Sequence, residues 1–304
     1  LAMGGTGGTS VACGAMRPLP LGVPKVMVST AAGGDVSGYV GVRDIVMIPS
    51  IVDVAGVNKI SRGVFARAAG AICGMVEAEV PAAEDKPLIV ATMFGNTTTC
   101  VGAAQEILEA AGYEVLVFHC TGVGGKTMES LVETGEIAGV LDITTTEWAD
   151  QLVGGVFAAG PDRMDAMAHA DVPAIVTPGC LDMVNFNAPD TVPAPFAGRT
   201  FYEHNPNVTL MRTSVEECEQ LGAILAGKVN AATAPVTVLI PTGGISMIDL
   251  PGKAFHLPEA NKALFDSLKA NLRPEVPVIE MACDINDPAF AKACAEALLE
   301  NLKV

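Results

Sequence analysis

Seven residues near the start, Gly4-Gly5-Thr6-Gly7-Gly8-Thr9-Ser10, combine four glycines with three hydroxyls. Without a Cβ, glycine lets backbone amides approach a ligand closely, and Thr or Ser supplies a helix N-cap. A loop of this kind opening a helix aims unpaired N–H groups at an anion, from the positive end of the helix dipole. The chemistry expected of Gly4, Gly5, Thr6, Gly7, Gly8, Thr9 and Ser10 is phosphate binding, with Thr9 or Ser10 placed to touch magnesium. Such loops follow a strand, and only Leu1-Ala2-Met3 precede this one. The sequence therefore reads as starting at the end of a strand whose earlier context is missing.

Further on, Asp53-Val54-Ala55-Gly56-Val57-Asn58-Lys59-Ile60-Ser61-Arg62 leads into a long helix. Asp53 is either the cap of that helix or an outer partner for the metal. Asn58, Ser61 and Arg62 are then available to a ligand held by the glycine loop, Arg62 through a bidentate phosphate contact.

Later polar loops each follow an apolar run. Phe94-Gly95-Asn96-Thr97-Thr98-Thr99 places three hydroxyls at a helix start, for capping or for an anion. Thr121-Gly122-Val123-Gly124-Gly125-Lys126-Thr127 approaches the phosphate-loop pattern G-x-x-x-x-G-K-[ST], yet Cys120 stands where that pattern needs glycine. An anion site and a tight turn with a solvated lysine both remain open. Asp142 to Asp150 ends another strand beside the only tryptophan, Trp148, and Pro178-Gly179-Cys180-Leu181-Asp182 and Pro241-Thr242-Gly243-Gly244-Ile245-Ser246 end two more. Together Asn96, Thr97, Thr98, Gly124, Gly125, Lys126, Thr145, Gly179, Thr242, Gly243 and Gly244 outline a second cleft. Lys126, Asp182, His204 and Cys180 are its catalytic candidates. Cys180 is a nucleophile only where a helix terminus or His204 lowers its pKa; otherwise it is an inert buried thiol.

The elements that must position these loops follow from hydrophobic patterning. Strands are expected at Lys25–Val28, Ile45–Ile48, Leu88–Met93, Glu114–His119, Gly139–Ile143, Pro173–Thr177, Val208–Met211, Val236–Ile240 and Val276–Met281. Helices are expected near 57–76, 97–111, 126–133, 215–229, 258–272 and 288–302. Continuous apolar strands alternating with helices imply a parallel sheet covered on both faces, a doubly wound α/β fold whose ligands sit beyond the carboxyl ends of the strands. Glu77 to Lys86, rich in Pro, Ala and acids, reads as a linker. Two units are expected: 1–82, the second half of a nucleotide-binding subdomain, and 83–304, a second α/β subdomain. The alternative is that the early segment packs onto the second sheet.

With 304 residues, half of them hydrophobic, the chain can bury a large core. Its net charge of −16 argues against nonspecific nucleic-acid binding, and no apolar run is long enough for a transmembrane helix. Eight dispersed cysteines without a C-x-x-C pair suggest reduced thiols and a cytoplasmic setting, and the four scattered histidines show no zinc spacing.

These loops resemble the ATP-binding family of the plant tobamovirus-multiplication inhibitor and its microbial relatives. The matching stretches include the Gly4 loop, Lys25 to Asp35, Asp53 to Asn58, Phe94 to Thr98, Gly122 to Glu129, Asp142 to Thr145, Pro178 to Asp182 and Pro241 to Gly244, nearly end to end. The resemblance implies two Rossmann-like subdomains, the first incomplete because the family's N-terminal half-domain is lacking here. It also implies ATP as cofactor, with magnesium as a companion. Three functions are compatible. The first is a nucleotide-binding protein, and the second an ATP-dependent or hydrolytic enzyme acting on a small acidic metabolite between the subdomains. The third is a nucleotide-stabilised regulatory protein. A homo-oligomer, or a separate N-terminal chain as partner, fits each of them.

Overall fold

The structure is a computed structural model that describes residues 1–81 and 85–303. It divides into two compact units, Leu1–Glu84 and Asp85–Val304. The boundary expected between residues 82 and 83, inside the expected linker, lies outside the described residues.

The first unit runs β1 (Ala2–Gly4), α1 (Thr6–Met16), β2 (Val26–Ser29), α2 (Ser37–Val40), β3 (Val46–Pro49) and α3 (Lys59–Glu77). Its strands are parallel, in the order β1-β2-β3. Successive side chains of a strand point to opposite faces, and β2 uses both. Met27 packs with Cys13 of α1 and Ile45, whereas Val28 packs with Val64 and Ala68 of α3. Helices thus cover both faces of this small sheet.

The second unit continues with β4 (Leu88–Met93), α4 (Thr98–Ala110), β5 (Glu114–His119), α5 (Val123–Val132), β6 (Ile137–Thr144), α6 (Glu147–Val153), α7 (Ala166–His169) and β7 (Ala174–Gly179). Then come β8 (Met183–Phe186), β9 (Phe201–Asn205), β10 (Val208–Arg212), α8 (Val215–Ala231), β11 (Val236–Pro241), α9 (Pro258–Asn271), β12 (Val278–Met281) and α10 (Pro288–Asn301). Six strands form one parallel sheet in the order β12-β11-β7-β6-β4-β5. Ile89, Leu141, Ile175 and Leu239 pack against α4 and α10. Their neighbours Val90, Val140, Val176 and Val238 pack against α5, α8 and α9. The chain is therefore α/β with parallel sheets, and no described helix is long and apolar enough to cross a membrane.

One strand departs from the expected series. Val208–Met211 belongs to β10, which pairs antiparallel with β8 and β9 in a separate three-stranded sheet. Only Pro206 and Asn207 separate β9 from β10, and a parallel neighbour would need a crossover of a dozen or more residues. Strands β8 and β9, absent from the sequence reading, complete this sheet.

Candidate functional site

The carboxyl ends of the second unit's strands carry a buried polar layer. Its centre is Arg163, 1% exposed. The guanidinium grips Asp142 with two nitrogens at 2.7 and 2.8 Å and donates to Glu147 Oε2 at 2.8 Å and Glu129 Oε1 at 3.0 Å. Burial works against the Arg163 charge, but the surrounding carboxylates outweigh it and hold the group well above its ordinary value. Burial raises Glu129 despite Arg163 and the amides of Met164 and Ala166.

Glu147 settles what the Gly122–Lys126 loop binds. Its Oε1 accepts the N–H groups of Gly122 at 2.7 Å and Gly125 at 3.1 Å. This turn is an anion site, as its composition suggests, but the anion is an internal carboxylate. A Cβ on Gly125 would lie 2.0 Å from Glu147 Oε2, and one on Gly124 would lie 1.8 Å from the His119 carbonyl oxygen. Gly124 and Gly125 are therefore packing glycines, and Lys126 is left exposed.

Most of the remaining second-cleft residues are also used internally. Thr97 shares a hydrogen bond with Thr144 at 2.8 Å, and Thr145 donates to the Thr177 carbonyl at 3.0 Å. A Cβ on Gly179 would strike the Ile143 carbonyl at 2.0 Å, and one on Gly244 would meet Leu250 at 2.8 Å. The single cleft is thus corrected to two separate cavities. One of about 220 Å³ has Thr242, Gly243, Asp249, His256, Asn261 and Lys262 in its wall. The other, about 230 Å³, includes Asn96 and His204. Thr98 is exposed, its hydroxyl turned back to the Phe94 carbonyl at 3.3 Å.

Nor do the catalytic candidates converge. Cys180 is fully buried at a positive φ of 60°, and burial, reinforced by Asp182, pushes its thiol well above the ordinary value. That corrects the nucleophile reading. Asp182 is buried against Ser246 Oγ at 2.7 Å, and burial together with the Asp249 charge raises its pKa. His204 sits on exposed β9. Sequence reasoning passed over His119, which closes β5 and lines the same cavity as His204; its place at a strand end was the available signal. It also passed over Arg163, since nothing local marks a cation that three distant acids will surround.

In the first unit, Gly5 precedes α1 at the carboxyl end of β1, with no side-chain cap. The first N–H of the helix with a partner is that of Thr9, which bonds the Gly5 carbonyl at 2.8 Å. Those of Thr6, Gly7 and Gly8 have no protein acceptor among the described residues. A Cβ on Gly7 would meet nothing within 4 Å; on Gly4 it would lie 3.1 Å from Gly8 Cα, so Gly4 closes the turn. Thr9 is corrected from a metal-facing residue to a strut: it is buried, donates to Gly5 O at 2.8 Å and meets Ser29 Oγ at 2.6 Å. Thr6 and Ser10 are exposed. The cap of α3 falls to Asn58, whose Oδ1 accepts Ile60 N and Ser61 N at 2.9 Å. Asp53 instead accepts the N–H of Val54 at 2.8 Å. Among the described residues no cluster of three or more His, Cys, Asp or Glu could hold a metal.

Comparison with known proteins places both units in one family. The model of the uncharacterised protein family UPF0261 N-terminal domain matches residues 1–81, and that of its C-terminal domain matches 86–302. A UPF0261 protein of Clostridium tetani is 49% identical over all of this chain and 76% of its own length. One of Rhizobium meliloti is 50% identical over 97% of this chain and 74% of its own. The ToMV resistance protein Tm-1(GCR237) of Solanum lycopersicum is 44% identical over 99% of this chain, which spans 41% of that protein. A solved thioesterase domain from the curacin biosynthetic pathway, 13% identical with a TM-score of 0.33, covers 71% of this chain and 91% of its own, too remote to inform the fold. The chain belongs to the UPF0261 family. Residues matching both family domains are present, and the chain spans about three quarters of the length of those two microbial relatives.

Proposed function

We propose that this UPF0261 member binds a nucleotide, ATP, through phosphates seated on the amino end of α1, within a Rossmann-like, doubly wound framework. The observation that carries the reading is the set of Thr6, Gly7 and Gly8 N–H groups without protein acceptors at a strand–glycine–helix turn. Exposed backbone amides at a helix start suit a phosphate, and the bare surface at Gly7 lets it approach. The exposed hydroxyls of Thr6 and Ser10 add donors beside the turn. In a chain of net charge −16, magnesium carried with the nucleotide offsets part of the phosphate charge.

Titration calorimetry of ATP into the full chain tests this. Because no atom lies within 4 Å of a Cβ on Gly7, Gly7→Val leaves the fold room while blocking the approach. ATP affinity should fall at least about tenfold, roughly 1.4 kcal/mol, with the melting temperature of the free protein nearly unchanged. ATP at about 100 times its Kd should stabilise the parent by about 2.7 kcal/mol. Equal affinity in parent and G7V would remove α1 as the phosphate site.

A further inference from the structure

A cavity with a mixed apolar and polar wall lies in the second unit. Strands β4 and β6 are neighbours, yet from β4 the chain runs outward to β5, and from β6 it runs the opposite way to β7 and β11. In open α/β sheets, ligand crevices form beyond the carboxyl ends of strands at such a reversal. The 230 Å³ cavity lies one strand over from this reversal, past the carboxyl ends of β4 and β5, where Phe94, Asn96, His119 and Thr121 contribute to its wall. A cavity of about 150 Å³ lined by apolar side chains holds a benzene molecule, so this one has room for one ring and a substituent.

The wall has two characters. Phe94, Phe157, Val208 and Leu210 form an apolar side, with the Phe94 and Phe157 rings edge-on at 6.3 Å. Opposite chemistry comes from Asn96, His119, Thr121, His204 and Asn205. Asn96 is the decisive residue. Only 7% exposed, it gives its side-chain N–H₂ nothing better than Met183 sulfur at 3.7 Å, and its Oδ1 has no protein partner among the described residues. A buried amide ordinarily finds partners in the protein or in ordered water. Its backbone is fixed: Asn286 Nδ2 donates to the Asn96 carbonyl at 2.8 Å while Asn286 Oδ1 accepts Cys100 N at 3.2 Å. Asn205 Oδ1 is engaged with Asn207 N at 2.9 Å, which leaves its N–H₂ to donate. The wall contains no carboxylate.

We infer that this cavity is a binding site for a small ring-bearing carboxylic acid, its ring against Phe94 and Phe157 and its carboxylate on Asn96 between His119 and His204. Donors at the polar end ask for an acceptor-rich group, and imidazole can donate through one ring nitrogen while accepting through the other.

The chain's four histidines make the test direct. Sodium benzoate is titrated into the full chain while the imidazole C–H signals are followed by NMR, with His119→Phe and His204→Phe supplying the assignments. Two signals, those of His119 and His204, should move with a common millimolar midpoint, while His169 and His256 stay still. His256 lines the other cavity, so movement there instead assigns the acid to that cavity and overturns the inference. Asn96→Leu should weaken binding at least tenfold, and His204→Phe, on an exposed strand where folding is not at stake, at least threefold. Benzyl alcohol, which keeps the ring and loses the carboxylate, should move neither signal. Undiminished benzoate binding in both variants, or no movement at saturating benzoate, defeats the proposal.

Discussion

Two turns in this chain have the same recipe, a strand end, a run of glycines and a helix start, and meet opposite fates. At α5 the amides of Gly122 and Gly125 close on Glu147, whose carboxylate also binds Arg163. At α1 the amides of Thr6, Gly7 and Gly8 meet no protein acceptor. The glycines differ accordingly: side-chain atoms would collide at Gly124 and Gly125, while Gly7 has open space. Composition alone marks a turn able to hold an anion. Whether the anion is internal is decided by what another element delivers, and here α6 delivers Glu147.

The largest effect expected from breaking this comparison is at the filled turn. Glu147→Ala removes the acceptor for two buried amides and one partner of a buried guanidinium. Stripping one member from a buried ion pair costs about 3–5 kcal/mol, so the denaturation midpoint should drop sharply or folding fail. Gly125→Ala comes next. A methyl group 2.0 Å from Glu147 Oε2 must displace the carboxylate or tilt the helix, and such overpacking typically costs about 1–3 kcal/mol. Urea denaturation of both variants measures the loss; a neutral Gly125→Ala would contradict the seating of Glu147.

Much of the parallel framework was legible because its determinants are local. Leu88–Met93 and Glu114–His119 are apolar runs closed by turn residues, and the strands begin and end there. Met183–Phe186 and Phe201–Asn205 were not legible: four residues in one case and an exposed, polar-rich strand in the other carry no periodic signal. At the level of the site, sequence indicates which loops sit at strand ends, because strand ends are local. It does not indicate which hydroxyl is consumed by a neighbour. Thr9 and Ser10 look alike as residues, yet only Thr9 lies against Ser29, a contact between positions twenty residues apart.

A sharper comparison lies between Glu147, which has a cation, and Asp150, which has only amides. Asp150 accepts Phe157 N and Asn185 N at 3.1 Å and Asn185 Nδ2 at 2.6 Å. Burial outweighs those bonds and lifts its carboxyl to about 7. Asn185 Oδ1 is buried without a partner; with the amide turned over, a protonated Asp150 donates to it, and so does the N–H₂ of an asparagine placed at 150. The sign follows. A raised native pKa contributes stability below the unfolded value of about 4, and that contribution is lost as pH rises through about 7. Asp150→Asn should therefore gain on the parent as pH increases across that window, by on the order of 1–2 kcal/mol at pH 8. Chemical denaturation of both proteins from pH 4 to 8 reads the gap directly. A gap that does not change with pH would mean that Asp150 stays ionised throughout.

The smallest effect tests the open turn, and its sign carries the information. Gly7→Ala adds a methyl group where no atom lies within 4 Å, inside a helix where alanine is favoured over glycine by about 0.5–1 kcal/mol. With nothing seated on the turn, the variant should be slightly more stable than the parent. With ATP at saturation the order should reverse, because the methyl group projects into the space the phosphates occupy and the parent gains more from the ligand. Thermal scans of the two proteins with and without ATP contain the whole test. A crossing of the two melting temperatures is what an external anion at α1 requires. Parallel shifts would show that ATP, wherever it binds, does not touch this turn, and α1 and α5 would then differ only in how they are packed.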